Sequence, residues 1–306
     1  MNSLKYQVDN YRIIGEDFYE KGLFGKALEF YKKGYNYPEG KTDIELLLKM
    51  ALLYDELGEY SLAEEKFREI LRFAEDERAY YGIAITYDNR ERYEEAVQYY
   101  EKAIEINPLY ERAYFFLAGA YDVLGKKERA IYYYNKVIEI NSNDFWSYTN
   151  LSSIYEEIGI YDKALEMVNQ ALEIDCRNYM ALFNKAVIMG KLKNEEEAIR
   201  LYYLSLSYND KYPYTYLNLF IIYKNRNNYS EALEVISDGI TKNPDEGFLY
   251  YNRACFFVGL GNLVNAFKDL ETAVKIYPEF RKYIEQDEEL IPLKKLDCYS
   301  KLFIKY

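Results

Sequence analysis

Four asparagines stand 34 residues apart, at Asn150, Asn184, Asn218 and Asn252. A carboxamide carries both a donor and an acceptor, the pair needed to grip a peptide unit. Asparagine costs ~0.6 kcal/mol against alanine inside a helix, so four cost roughly 2–3 kcal/mol. Other chemistry is thin. The chain has no histidine, which removes the commonest general base and metal ligand and every Ser-His or Cys-His pairing. Cys176, Cys255 and Cys298 are far apart and in no metal spacing. Carboxylate runs such as "EDER" at 75–78 and "NEEEA" at 194–198 suit the first turns and outer faces of helices. No glycine-rich phosphate loop occurs. The expectation is no catalytic residues, no metal and no cofactor.

The bulk numbers narrow the partners. The 306 residues are 50% apolar and carry a net charge of −12, with no Lys/Arg block. That balance disfavours nucleic acid. No apolar run reaches the length of a membrane span, and the first residues have no signal-peptide core. Scattered cysteines point to a reducing compartment, so the expected location is cytoplasmic.

The asparagines belong to a longer pattern. Ala27, Ala63, Ala96, Ala130, Ala164, Ala198, Ala232 and Ala266 recur at 33 to 36 residues. With this alanine as position 20, position 8 is small in seven units and Phe220 in the seventh. Position 11 is aromatic or Met. Position 15 is glycine in five units, Gly22, Gly58, Gly125, Gly159 and Gly261. Apolar residues at 4, 7, 8 and 11 make one helical face. Glycine at 15 suits the left-handed residue that ends that helix. A second helix carries 20, 24 and 27 on one face. Small residues at 8 and 20 let the pair approach closely, and one hairpin cannot bury both faces, so units must stack. Positions 4, 11, 17 and 24 hold 19 of the 38 tyrosines, which marks half of them as packing.

This pattern resembles the tetratricopeptide repeat (TPR) family, whose signature W-x2-L-G-x2-Y, A-x3-F and P is present with Tyr mostly replacing Trp. Unit five shows it in Tyr148, Leu151, Ser152, Tyr155 and Ala164, with the Pro absent. The resemblance implies an all-α fold, a right-handed α-solenoid of eight TPR helix-turn-helix units plus a C-terminal capping segment. Residues 1–7 form a lead-in. The units run 8–43, 44–76, 77–110, 111–144, 145–178, 179–212, 213–246 and 247–280. Residues 281–306, broken at Pro292, form a capping helix and tail. Phe220, large where its counterparts are small, predicts looser packing between units seven and eight.

In this family the first helices line a concave groove, which places positions 2, 5, 6, 9, 12 and 13 on it. Units one and two then contribute Asp9, Arg12, Glu16, Glu20, Glu45, Lys49, Asp55 and Glu56, a net of −4. Units six to eight contribute Phe183, Tyr214 and Tyr251, and Trp146 falls at position 2 of unit five. The asparagines occupy position 6 and are similar to the ladder of O-linked N-acetylglucosamine transferases. They either hold a guest backbone or bond to a neighbouring helix. The clamp for acidic chaperone tails needs Lys at 5 and Asn at 9, and neither column has them. The expected function is a non-enzymatic protein–protein interaction scaffold that binds an extended peptide or partner protein, with a basic segment, in the groove. The alternative is a self-associating structural array or an accessory subunit of an enzyme complex.

Overall fold

Each 34-residue period folds as two helices, because its apolar stripe repeats at the helical period and breaks at position 15. The computed structural model describes residues 3–295 together with 299 and 302. The chain divides into two units, Met1–Ile154 and Tyr155–Tyr306. In the first, α1 (Ser3–Glu20), α3 (Ile44–Glu56), α5 (Glu77–Asp88) and α7 (Glu111–Val123) are the first helices of their repeats. Their partners are α2 (Phe24–Tyr35), α4 (Tyr60–Ile70), α6 (Tyr93–Ile106) and α8 (Lys127–Ile140). The helix α9 (Phe145–Glu157) carries the division point. In the second unit, α10 (Tyr161–Ile174) precedes the pairs α11 (Tyr179–Lys191) with α12 (Glu195–Tyr208), and α13 (Pro213–Asn225) with α14 (Tyr229–Lys242). The pair α15 (Gly247–Gly259) and α16 (Leu263–Ile276) follows, then α17 (Phe280–Gln286) and a 3-10 segment, Glu288–Lys295. No strand occurs among the described residues. Helix α1 starts inside the lead-in, at Ser3.

The small residues of the repeat lie in its core. All eight alanines at position 20 are fully buried. Phe220 is also buried, 2% exposed, and its ring meets the edge of Phe256 at 5.4 Å.

The turn between the two helices of a repeat has one geometry throughout. Position 15 is left-handed in all eight repeats, with φ between 59° and 78°. The N–H of position 16 donates back to the carbonyl of position 11, as in Leu23 to Phe18 and Asn194 to Met189, both at 2.9 Å. Five repeats use the glycine expected from sequence. The other three place Glu91, Lys193 and Asn227 there. A left-handed L-residue costs roughly 1–2 kcal/mol, less for asparagine. Lys193→Gly should therefore raise stability by about 1 kcal/mol, the relieved strain exceeding the added chain entropy of glycine. Asn227→Gly should gain less. Thermal melts of both variants check this, and a Lys193→Gly variant that melts earlier would refute it.

The C-terminal residues cover the last helix pair. Ile284, Leu290, Leu293 and Leu302 share one buried cluster with Ala254, Ala266, Leu270 and Val274. Cys298 lies outside the described residues.

Candidate functional site

The positions assigned to binding lie on the first helices, and their surroundings differ between the two units. In the first unit the acidic side chains are partnered by groups of their own or the next repeat. Glu16 on α1 lies 3.4 Å from both Arg12 and Lys49. Glu45 on α3 meets Arg78 of α5 at 2.8 Å. Asp55 accepts from Asn89 at 3.2 Å, and burial raises its pKa above the usual carboxylate range. One repeat on, burial likewise raises Asp88, which accepts from the Tyr100 hydroxyl at 2.8 Å. Position 12 thus carries carboxylates at Asp55, Asp88 and Asp122, each held by a donor from the fold.

Position 6 in this unit packs against position 24 of the preceding repeat. At Gly82 a Cβ would lie 2.2 Å from the Phe67 ring, so no side chain fits there. Phe116 stacks near Tyr100, centroids 6.4 Å apart. Asn150 donates to the Tyr134 hydroxyl at 3.0 Å. Its carboxamide therefore holds a neighbouring helix of the same unit. Trp146, on the first turn of α9, is 47% exposed with its ring edge-on to Phe145.

In the second unit the remaining asparagines are all half-buried, yet differently engaged. Asn252 donates to the Phe248 carbonyl of its own helix at 2.8 Å. Asn184 also has a partner. Asn218 makes no side-chain hydrogen bond among the described residues. One turn before it on α13, Tyr214 is 50% exposed and stacks on Phe248 at 5.3 Å, the planes 14° apart. Residues four apart on a helix share a face, so the ring and the free carboxamide sit side by side. Ile221, one turn further, continues the stripe at 40% exposure.

The other two predicted aromatics are largely occupied by packing. Phe183 meets Tyr212 edge-on at 5.1 Å and Tyr202 at 5.6 Å. Tyr251 stacks on Phe280 at 5.4 Å, and its hydroxyl donates to Asp287. These contacts follow a rule not noticed in the sequence. An aromatic at position 34 packs on the aromatic at position 5 of its own repeat: Tyr110 on Tyr81, Tyr212 on Phe183 and Phe280 on Tyr251. The signal was present, since each aromatic at position 34 of these repeats accompanies one at position 5.

No group of three or more Cys, Asp or Glu is placed to hold a metal among the described residues. No helix there is long and apolar enough to cross a membrane. The exposed Cys176 and the half-buried Cys255 are free thiols, and burial pushes Cys255 up to about 12. A thiol so shifted is un-ionised near neutral pH and is a poor nucleophile.

Two-helix repeats of this length, closed at position 15 and packed on alanine at position 20, define a helical-repeat scaffold. Residues 77–110, 111–144, 133–166 and 249–280 match tetratricopeptide repeat family models. The chain carries several tetratricopeptide repeats and folds as an α-solenoid. No curated protein matches it in sequence. Among solved structures it is similar to MamA protein, with 27% identity, 56% of this chain and 93% of that one covered, and a TM-score of 0.50. A tetratricopeptide repeat protein from Parabacteroides merdae shares the fold at 15% identity, covering 78% of this chain and 94% of that one, TM-score 0.62. The APC/C hetero-tetramer Cut9–Hcn1 shares it at 16% identity over 96% of this chain, TM-score 0.60. This chain spans 56% of that longer one.

Proposed function

We propose that the protein is a non-enzymatic scaffold that binds an extended segment of a partner protein on the first helices of its repeats. The observation that carries this is the α13 face. Asn218 offers an unengaged donor and acceptor beside the half-exposed ring of Tyr214. A half-buried amide without a protein partner is left to water in the free protein, and a guest peptide bond can replace that water with a donor and an acceptor together. An exposed aromatic next to it supplies the apolar anchor that dominates most interfaces. Asn150 and Asn252 are engaged within the fold, so binding centres on α13 rather than on the whole asparagine column. In the first unit the exposed Trp146 and the net charge of −4 over the first-helix columns of repeats one and two, Glu16, Glu45 and Asp55 among them, suit a partner with a basic segment.

A peptide array probed with the full chain tests the reading. Tyr214→Ala and Asn218→Ala should each weaken binding by about tenfold. Asn218→Ala should leave the melting temperature unchanged, and Tyr214→Ala should lower it only through the loss of its stacking on Phe248, worth about 1 kcal/mol. Peptides captured equally well by both variants, or no capture by the unmodified chain, would sink the proposal. Preference for acidic peptides would remove the basic-segment part alone.

A further inference from the structure

A cavity of about 660 Å³ opens between the seventh and eighth repeats. It lies beyond the end of α13, against the C-terminal half of α15, with the 3-10 segment Glu288–Lys295 as its third wall. This is the repeat junction at which Phe220 predicts looser packing. Phe256, Leu260 and Pro292 give it apolar walls. The Phe256 ring is fixed by edge contacts to Phe220 at 5.4 Å and to Tyr229 at 5.6 Å. Lys224 and Glu289 also line it. Neither side chain makes an ion pair or hydrogen bond among the described residues, so they are not joined to each other. The lining therefore mixes these apolar walls with polar groups, Asn225 and Asn227 standing beside two opposite charges. The cavity's volume is that of a site able to take a buried ligand group.

The α13 stripe of Tyr214, Asn218 and Ile221 runs along the helix that ends at this cavity. We propose that the cavity receives one large apolar side chain of the bound peptide, carried between an acidic residue that meets Lys224 and a basic residue that meets Glu289. The inference rests on the reading of α13 as a peptide-binding face and adds a sequence preference to it. An apolar residue without charged neighbours leaves both lining charges to water alone, and a charged triplet without the apolar residue leaves the cavity unfilled. Either half alone binds weakly.

Gly259 lines the cavity, and a Cβ built on it meets nothing within 4 Å. Gly259→Leu therefore adds bulk at the cavity wall from a position whose Cβ is unobstructed. Short fluorescent peptides containing Lys-Phe-Glu or Glu-Phe-Lys, with Lys-Ala-Glu and Ser-Phe-Ser as controls, are titrated into the full chain. One charge order should bind at least about tenfold more tightly than the controls, as expected for one buried anchor. Gly259→Leu should abolish that advantage with no fall in melting temperature. Lys224→Ala, a lining change that leaves packing intact, should remove the charge-dependent part. Equal binding of all four peptides, or an advantage that survives both substitutions, overturns the cavity assignment. Array peptides whose capture depends on Tyr214 and Asn218 but not on Gly259 also overturn it, while leaving the α13 reading in place. If no array peptide is captured at all, the α13 reading fails first.

Discussion

Replacing Arg253 with leucine should destabilise the C-terminal repeats by about 3–5 kcal/mol, the usual cost of leaving one partner of a buried ion pair alone. Arg253 occupies position 7, a core position that holds Met50, Ile83, Leu117, Leu151 and Leu219 in other repeats. Its guanidinium grips Asp269 in two-pronged fashion at 2.7 and 2.8 Å and donates to the Ser237 hydroxyl at 2.9 Å. It also lies within 6 Å of the ring centres of Tyr250 and Phe257. Asp269 is 7% exposed, so without arginine its charge has neither water nor a counter-ion. The conservative-looking change is therefore the damaging one. Arg253→Leu combined with Asp269→Leu should recover most of the loss, because an apolar pair of similar volume replaces a desolvated ionic one. In a repeat array the effect is local, since each repeat leans chiefly on its neighbours. Amide exchange at Leu270 and Val274 should quicken in the single variant and return towards the original rate in the double. A single variant as protected as the unmodified chain would show the pair contributes nothing.

Alkali should unfold the protein cooperatively above pH about 11, through its buried tyrosines. Burial pushes Tyr31 and Tyr216 up to about 12. Tyr121 reaches about 12 as well, with a hydrogen bond to Glu101 adding to burial. Burial raises Tyr100, Tyr134 and Tyr202 in the same direction. A phenol is neutral when protonated, so a raised folded value means the folded chain keeps a proton the unfolded chain has lost. The stability is fully present below pH about 10, the ordinary tyrosine value, and is lost as pH climbs through the folded values. An offset of two units is at most ~2.7 kcal/mol per tyrosine, so two or three such groups rival the stability of a small domain. Tyrosinate absorbance and helical circular dichroism should then change together in one steep step. Smooth titration near pH 10 with the helices intact would contradict the prediction.

The repeat architecture was legible because it depends on side-chain size at fixed spacing. Alanine at position 20 and a small residue at position 8 permit close helix approach, and both columns are buried as their spacing implies. The left-handed position 15 was legible in five repeats and hidden in three, because Glu91, Lys193 and Asn227 bear no glycine signature while the geometry persists. Arg253 was illegible for a similar reason: its charge is explained only by Asp269, sixteen residues on, in the facing helix. Phe183 and Tyr251 read as surface anchors until position 34 supplied the rings that cover them.

Sequence by itself therefore determined the helix pairs, their contact faces and the residue columns of the repeat, since periodicity and volume act within one repeat. Tertiary structure decided which polar groups in those columns are free. Asn150, Asn218 and Asn252 hold the same position of the repeat, yet Tyr134 takes the first and the Phe248 carbonyl the third. Whether a donor within about 3 Å of an acceptor exists depends on what the adjoining elements present, and no spacing along the chain encodes that distance. Asn218 remains without a partner in the described fold, beside an exposed ring and on the helix that ends at a cavity.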